Sequence, residues 1–329
     1  MIKRRFFLTA ACFAALFLCL VPFSCKDEKY NPFSQTYFEY GLSVHFLDVG
    51  EGDCAYITLP DGKNMLIDCG SASELNFKKT EKLIEDSGRD FIDYLVVTHT
   101  DEDHAGGAAE LCRRFGVGKA FIPDVRNASL FPVFSECMSA LKECGAETEI
   151  SRTFGGMTGD GFIFMILYPS DSELSDSAYT DFNAAEMPSS QTVNDISAVI
   201  YLEYEGIRFL FTGDAGTRAE EYIADYYKIG LYERYLGRDG ALWLENIDFY
   251  KAAHHGASDA NSSEFLRLLT PKNVVVSSGD NIYGHPSTET LERFYEANPD
   301  YSLYRTDTVG TVSVFVGDGG KTFILTEVS

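Results

Sequence analysis

The sequence predicts an α/β protein in which two mixed β-sheets carry helices on their outer faces. Short apolar runs at residues 42–49, 54–59 and 65–67 are separated by turn-rich segments, which indicates an antiparallel meander. Strands and helices then alternate, and the second half of the chain repeats this order from a hairpin at residues 197–212. Paired strands followed by strand–helix alternation, twice over, are typical of two sheets with helices outside.

The remaining elements follow from the spacing of apolar residues. Helical spacing predicts helices at 74–86, 104–115, 131–144, 217–228, 262–269 and 288–297. Continuous apolar runs predict strands at 94–98, 119–122, 162–167, 249–252 and 273–277, and two closing strands at 311–316 and 321–325. Residues 150–195 are predicted to form mainly a loop insertion, with 162–167 as its one clear strand. We therefore expect one domain over residues 41–329.

Length, composition and charge limit the class of protein. The chain has 329 residues, of which 45% are apolar, so it can bury a sizeable core. From residue 25 onward it carries 24 basic and 50 acidic side chains, a formal charge of −26. Such a surface repels anions and argues against a general nucleic-acid-binding protein. A nuclease is still allowed, because bound metal ions can invert the field within a cleft.

The first 24 residues have the pattern of an export signal. Three basic residues at positions 3–5 precede an apolar run at residues 6–21, and polar residues follow from position 26. An uncleaved anchor helix is the alternative. Cys25 follows a small residue, as in a bacterial lipobox, and we expect it to be lipidated, with residues 25–40 as a polar tether. The sequence thus predicts an exported, membrane-anchored lipoprotein that faces the periplasm or the exterior.

Cysteine usage beyond Cys25 does not indicate a disulfide framework. Five cysteines remain, at positions 54, 69, 112, 137 and 144, and an odd number in a long chain does not predict systematic pairing. We expect most of them to be small buried apolar residues.

Residues 99–104, His-Thr-Asp-Glu-Asp-His, concentrate candidate metal ligands. His99, Asp101, Asp103 and His104 lie between a predicted buried strand and a predicted helix start, and Gly106-Gly107 follows. Imidazole and carboxylate together suit zinc, manganese or iron. A capped helix start with solvated acids would explain one aspartate, but two histidines with two aspartates favour a metal site.

The pattern His-x-Asp-x-Asp-His resembles the signature of the metallo-β-lactamase superfamily, in the variant of the ComEC-type competence hydrolases. Further segments are similar to motifs of that group: FLDVGEGD at 46–53, LIDCG at 66–70, FTGDA at 211–215, KAAHHGAS at 251–258 and NIYGHP at 281–286. The resemblance covers about residues 42–326. It implies a four-layer αββα fold, in which two mixed sheets are sandwiched between helices.

The resemblance also implies two divalent metal ions, zinc or manganese. The implied ligands are His99 and Asp101 for the first ion, Asp103 and His104 for the second, Asp214 as a bridge, and His285 to complete the second site. Asp101 replaces a histidine that is common elsewhere in the superfamily, and the third-motif histidine is missing near Asn194 and Ser197. The first site is therefore oxygen-rich, which favours manganese more than a full histidine set would.

Other residues receive supporting roles. His254 and His255 follow an apolar strand as a pair, and we interpret them as catalytic, although a lone histidine there would more often be structural. Which of the two transfers a proton stays open. Asp68 is expected to order the metal loop through hydrogen bonds. Asn194 and Ser197 are structural candidates near the site, and Asp53 and Asn281 are expected to fix loops.

Two metal ions about 3.5–4 Å apart activate water and clamp the attacking and leaving oxygens of an ester-like bond, with Asp103 orienting the nucleophile. A phosphodiester fits such a clamp best, because the clamp offsets developing negative charge. The resemblance points to DNA, and a nucleotide is a related candidate. A β-lactamase or other ester hydrolase and a non-catalytic metal-binding surface lipoprotein are the alternatives. No protein partner is inferred.

Overall fold

The structure, a computed structural model, describes residues 41–125, 127–159, 161–171, 174, 189–236 and 242–328. The predicted export signal at 1–24, lipidation at Cys25 and the tether at 25–40 lie outside the described residues, as does much of the expected loop insertion. The boundaries 1–24, 25–40 and 41–329 therefore stay predictions.

The first sheet has eight strands in the order β15-β14-β1-β2-β3-β4-β5-β6. They are β1 (Leu42–Phe46), β2 (Ala55–Thr58), β3 (Asn64–Ile67), β4 (Ile92–Val96), β5 (Val117–Ile122), β6 (Glu147–Ile150), β14 (Val312–Gly317) and β15 (Lys321–Thr326). Strands β1 to β3 form the predicted antiparallel meander, and β3 to β6 run parallel. Strand β14 returns to pair with β1, and β15 pairs with β14, so the two ends of the described domain meet in one sheet.

The second sheet has seven strands in the order β13-β12-β11-β10-β9-β8-β7. They are β7 (Gly156–Thr158), β8 (Phe162–Tyr168), β9 (Val199–Tyr204), β10 (Ile207–Phe211), β11 (Phe249–Lys251), β12 (Asn273–Val276) and β13 (Ser302–Arg305). The β9–β10 hairpin is antiparallel, whereas β10 to β13 run parallel. Both sheets are therefore mixed, as the sequence predicts.

The described part of the chain forms ten α-helices, most of which lie between parallel strands. They are α1 (Glu74–Asp86), α2 (Glu102–Ala105), α3 (Ala108–Phe115), α4 (Pro132–Cys144), α5 (Ser190–Asn194), α6 (Thr217–Lys228), α7 (Leu231–Leu236), α8 (Ser263–Leu269), α9 (Thr288–Ala297) and α10 (Thr306–Val309). Capping serines begin three of them: the hydroxyl of Ser73 accepts from Asn76 N–H, that of Ser262 from Phe265 N–H and that of Ser287 from Thr290 N–H.

Three apolar clusters define the layers. The central cluster takes alternate residues from both sheets, and Phe46 of the first sheet stacks on Phe211 of the second with ring centroids 5.5 Å apart. The opposite face of the first sheet packs on helices α1, α3 and α4, and the opposite face of the second on α6, α8 and α9. Because each strand buries one face inward and one outward, the strands read as continuous apolar runs. This arrangement confirms the predicted αββα fold.

The helix predicted at 104–115 is interrupted at its glycine pair. A Cβ atom on Gly106 would lie 2.4 Å from Ala72 N, and one on Gly107 would lie 2.4 Å from Cys69 O. The chain that follows β3 thus packs directly on the backbone between α2 and α3. No helix in the described part of the chain is long and apolar enough to cross a membrane.

Candidate metal centre

The candidate ligands lie where strands end at one rim of the two sheets. Residues 99–104 follow β4, Asp214 follows β10, and the 254–255 histidine pair follows β11. Side chains from both sheets therefore meet above the central core, although they are far apart in sequence. Rigid strands hold the loops that carry them.

Four side chains converge closely enough to hold one metal ion. Ligand atoms of Asp103, His104, Asp214 and His255 all lie within 4.8 Å of one another. His104 Nε2 is 3.1 Å from Asp214 Oδ1 and 3.4 Å from His255 Nε2, and His255 Nε2 is 3.2 Å from Asp103 Oδ2. Two imidazoles and two carboxylates form a donor set that suits zinc or manganese.

A second group of candidate ligands adjoins the first through Asp214. His99 Nε2 lies 3.8 Å from Asp214 Oδ2 and 3.9 Å from Asp101 Oδ2. The two carboxylate oxygens of Asp214 thus face different histidines, which is the arrangement expected of a bridging carboxylate. His99 Nε2 and Asp214 Oδ1 are buried and lack a hydrogen bond of acceptable geometry, although His104 Nε2 lies 3.1 Å from Asp214 Oδ1. Because unpaired buried polar atoms are costly, these atoms fit a site built for a cation.

Asp68 and Thr98 set the tautomers of both histidines. Asp68 accepts hydrogen bonds from Thr98 N–H at 2.8 Å, from the Thr98 hydroxyl at 2.7 Å and from His104 Nδ1 at 2.8 Å. Since the Thr98 hydroxyl proton is committed to Asp68, its oxygen accepts from His99 Nδ1 at 3.1 Å. In the neutral form of each ring, Nε2 is therefore the nitrogen that presents a lone pair toward the metal positions.

His255 is oriented by backbone. Its Nδ1 donates to the carbonyl of Ser277 at 2.9 Å, so its Nε2 also presents a lone pair. His254 and His255 both adopt left-handed backbone angles, with φ of 48° and 52°. Residues other than glycine rarely adopt this conformation, and such strain concentrates at functional sites.

The structure separates the two members of this histidine pair. His255 belongs to the four-residue group, whereas His254 is partly exposed and faces the pocket. His254 Nδ1 lies 3.0 Å from Asp259 Oδ1, and its Nε2 lies 3.4 Å from Asn194 Nδ2 and 3.9 Å from Asp214 Oδ2. Asp259 is a contact that sequence reasoning missed.

His285, which the resemblance assigned to the second ion, is placed differently from His255. His285 Nδ1 lies 3.3 Å from Glu51 Oε1, and the ring stands 5.3 Å from that of His254. It lines the pocket, but the four-residue group among the described residues contains His255 in its place. Ser197 supports Asp214, because its hydroxyl accepts from Asp214 N–H at 3.2 Å.

A buried lysine–aspartate pair lies beneath the centre. Lys251 Nζ is 2.7 Å from Asp53 Oδ2 and donates to the carbonyl of Ala252, and the lysine side chain is only 3% exposed. Asp53 in turn lies 3.6 Å from His255 Nδ1 and 4.0 Å from His104 Nδ1. Sequence reasoning treated Asp53 as a loop residue and missed Lys251. Its position directly before the histidine motif was the available signal.

Burial and the charges of neighbouring side chains together set the pKa values of these groups. Burial lowers the pKa of His99, and the neighbouring His104 lowers it further. Burial acts against ionisation of Asp214, yet His104 and His255 hold the pKa of Asp214 well below its usual range. Burial likewise acts against protonation of His104, but Asp214 and Asp103 raise its pKa well above the ordinary value. A metal ion would displace that proton, so metal binding should be pH-dependent.

The centre opens into a pocket of about 360 Å³. Its lining is acidic and aromatic and comprises Glu51, Asp101, Asp103, Asn194, Asp214, His254, His255, Asp259, Tyr283 and His285. The volume lies at the lower end of the range for small-molecule sites. The pocket therefore has room for a small molecule or for the end of a longer one.

The chain is similar to several known proteins. The family model described as "Metallo-beta-lactamase superfamily" matches residues 47–132. ComE operon protein 3 of Bacillus subtilis is 24% identical over 287 residues, which cover 82% of this chain and 32% of that protein. Competence protein ComA of Neisseria gonorrhoeae is 26% identical over 283 residues, 86% of this chain and 33% of that protein. The chain thus spans about a third of the length of these relatives.

The chain also aligns with solved structures at low sequence identity. Igni18, a metallo hydrolase from Ignicoccus hospitalis, aligns with a TM-score of 0.47 at 16% identity, over 86% of this chain and 98% of that one. CmlA, a diiron β-hydroxylase from Streptomyces venezuelae, aligns with a TM-score of 0.49 at 12% identity, over 84% of this chain and 54% of that one.

The two mixed sheets between helices, the ligand loop after β4 and the family match at residues 47–132 together define the class: the chain has an αββα fold and resembles the metallo-β-lactamase superfamily. Within that superfamily it is similar to the ComEC-type competence proteins, as its motifs predict.

Proposed function

We propose that this chain is a dinuclear-metal phosphodiesterase that acts on DNA or nucleotides. The observation that supports it best is the convergence of Asp103, His104, Asp214 and His255 from three separate segments, with His99 and Asp101 beside them. The metal ions would be zinc or manganese. When bound, a pair of divalent ions polarises phosphoryl oxygens and lowers the pKa of water.

The side chains supply positioning and proton transfer. Asp103 lies at the mouth of the centre, where its carboxylate can accept a hydrogen bond from the attacking water and orient it. His254 faces the pocket and is backed by Asp259, so it can donate a proton to the leaving oxygen. His255 is assigned to metal binding, because its Nε2 points at Asp103 and Asp214.

The location of the protein is part of the proposal. The export pattern at residues 1–24 and the cysteine at position 25 support an exported domain held at the membrane by a lipid. Metabolic labelling with a fatty acid tests this point: wild type should incorporate the label, and a Cys25→Ala variant should not. Unlabelled wild-type protein would contradict the anchor.

Activity is tested on the metal-loaded chain with bis-p-nitrophenyl phosphate. Asp103→Asn should lower turnover by at least about a hundredfold, because it removes a carboxylate that belongs to the ligand group and orients the attacking water. Asp300→Asn is the matched control, since this exposed aspartate lies outside the pocket lining. Circular dichroism should show that both variants are folded.

Undiminished turnover in Asp103→Asn would refute the assigned role of that residue. Wild-type protein that holds metal but cleaves neither this ester nor DNA would favour the non-catalytic metal-binding protein. Hydrolysis of nitrocefin at enzymatic rates, without phosphodiester cleavage, would favour a β-lactamase.

A further inference from the structure

Two apolar side chains stand exposed at the rim of the pocket. Ile282 is 95% exposed and Tyr283 is 71% exposed, and Tyr283 lines the pocket that leads to the metal centre. Tyr283 therefore adds an exposed aromatic ring to an otherwise polar pocket. A tyrosine is suited to such a position, because its ring offers apolar area while its hydroxyl stays in water.

The loop that presents Tyr283 is held in place by one side chain. The side-chain oxygen of Asn281 accepts from the N–H groups of Tyr283 at 3.1 Å, Gly284 at 2.8 Å and His285 at 3.0 Å. Its amide nitrogen donates to the carbonyls of Gly279 and His285, each at 3.0 Å. These hydrogen bonds hold the backbone of Tyr283 in one conformation. A ligand that contacts the ring therefore does not have to order this loop.

Three rings, those of Tyr283, His285 and His254, lie in a row that leads to the metal centre. The ring of Tyr283 stacks on that of His285 at 5.7 Å between centroids, with 26° between the planes. The ring of His285 lies 5.3 Å from that of His254, whose Nε2 is 3.9 Å from Asp214 Oδ2. A molecule that places its phosphodiester at Asp214 can thus extend along these rings toward Tyr283.

The charges of the pocket limit what that molecule can be. Five carboxylates line it, and among the described residues that line it there is no lysine or arginine. Proteins that hold long nucleic acids gain most of their affinity from such cations on the phosphates. The proposed metal ions would supply positive charge at the scissile group alone. Affinity for the rest of the molecule must therefore come from other contacts, and Tyr283 offers stacking of a base on its aromatic ring.

We propose that Tyr283 is a stacking platform for the base of the nucleotide next to the scissile phosphodiester. The substrates are accordingly short single-stranded oligonucleotides or single-stranded chain ends, rather than the interior of a duplex. This inference rests on the proposed phosphodiesterase function and names its substrate class and a specificity residue.

The experiment compares a thymidine dinucleotide with its analogue that lacks one base, using the metal-loaded full chain. In wild type, the KM for the intact dinucleotide should be lower than the KM for the analogue that lacks one base. In Tyr283→Ala that KM should rise about tenfold, and the preference for the intact dinucleotide should largely disappear. Tyr283→Phe should keep the preference, because it retains the ring. Tyr295→Ala is the matched control, since Tyr295 is 61% exposed on α9, outside the pocket lining.

The outcomes separate this inference from the proposed function. If both dinucleotides are cleaved and Tyr283→Ala keeps the wild-type preference, the stacking role of Tyr283 is refuted. The proposed phosphodiesterase activity is then still supported. If wild type cleaves no phosphodiester, the proposed function fails, and direct binding then tests the platform. Calorimetry should show that wild type binds thymidine monophosphate about tenfold more tightly than deoxyribose 5-phosphate, and that Tyr283→Ala does not. Equal affinities in wild type would overturn the platform whatever the activity.

Discussion

Asp214 is the residue on which the two groups of candidate ligands converge. One carboxylate oxygen faces His104 and His255, and the other faces His99 and His254. Its backbone N–H is held by Ser197, at the place where the superfamily commonly has a further histidine. The end of β10 and Ser197 thus fix the position of Asp214. Hydrogen bonds with Asp68, Thr98 and the carbonyl of Ser277 orient the rings of His104, His99 and His255, respectively.

The pair formed by Lys251 and Asp53 should support the metal centre from below. Lys251→Met leaves the Asp53 carboxylate buried without its cation, so the free energy of unfolding should fall by about 3–5 kcal/mol. Because Asp53 lies beside His255, metal affinity should also fall, by about 10–100-fold. Competition with a coloured chelator measures the affinity, and chemical denaturation measures the stability.

Two further variants show whether the Lys251–Asp53 pair contributes to metal affinity or only to the free energy of unfolding. Lys251→Met combined with Asp53→Asn removes both charges, so it should recover stability while metal binding stays weak. Lys272→Met breaks a more exposed lysine–aspartate pair that has the same N···O distance of 2.7 Å, and it should change neither quantity much. Full metal affinity in the Lys251 variants would mean that the pair serves the fold alone.

At the residue level, sequence patterns predicted most of what the pocket contains but not how its histidines are divided. The four residues of the first motif, together with Asp214, follow strand ends, and such placement can be read from the sequence. Whether His255 or His285 joins Asp103 depends on the left-handed turn after β11 and on the contact between Glu51 and His285. Those depend on how loops from both sheets pack, which sequence spacing does not contain.

Among the elements, the helices and the buried strands were predictable because their apolar patterns are strong. Helices α1, α6 and α9 have the predicted bounds. The sequence did not predict three strands: β6, β7 and β13. Each is an edge strand, paired on one side and partly exposed, so its residues show no continuous apolar run.

Strand β1 carries a titratable group inside the core. His45 is fully buried between the hydroxyls of Ser43 and Ser313, and burial lowers its pKa from 6.5 to about 3. The unfolded chain therefore binds a proton that the folded chain does not between these two pH values. The contribution of His45 to the free energy of unfolding is therefore complete above pH 6.5. It falls as the pH drops below that value, by about 2 kcal/mol between pH 7 and pH 5.

Replacing His45 by glutamine should remove that dependence. The loss of unfolding free energy between pH 7 and pH 5 should be about 2 kcal/mol smaller in His45→Gln than in wild type, because the new side chain does not titrate. Between pH 7 and pH 8 the two proteins should behave in parallel. Identical acid sensitivity below pH 6.5 would show that His45 takes up its proton in the folded state.

At the scale of the whole molecule, each sheet contributes part of the site. The first sheet brings the ligand loop after β4, and the second brings Asp214 and the histidine pair. Beyond the first 24 residues the chain carries a formal charge of −26, so its surface does not attract a polyanion at long range. Recognition must then occur inside the pocket, which agrees with a small substrate or a chain end.

The central claim is that the two groups of ligands share Asp214 and form one two-metal centre. Metal analysis of the protein, purified without chelators and supplied with zinc or manganese, tests this most directly. Wild type and the Asp300→Asn control should hold two ions per chain, whereas Asp214→Asn should lose affinity for both, because each of its oxygens faces one group. A wild-type chain that binds no divalent ion, or an Asp214→Asn chain that keeps both with undiminished affinity, would contradict the account.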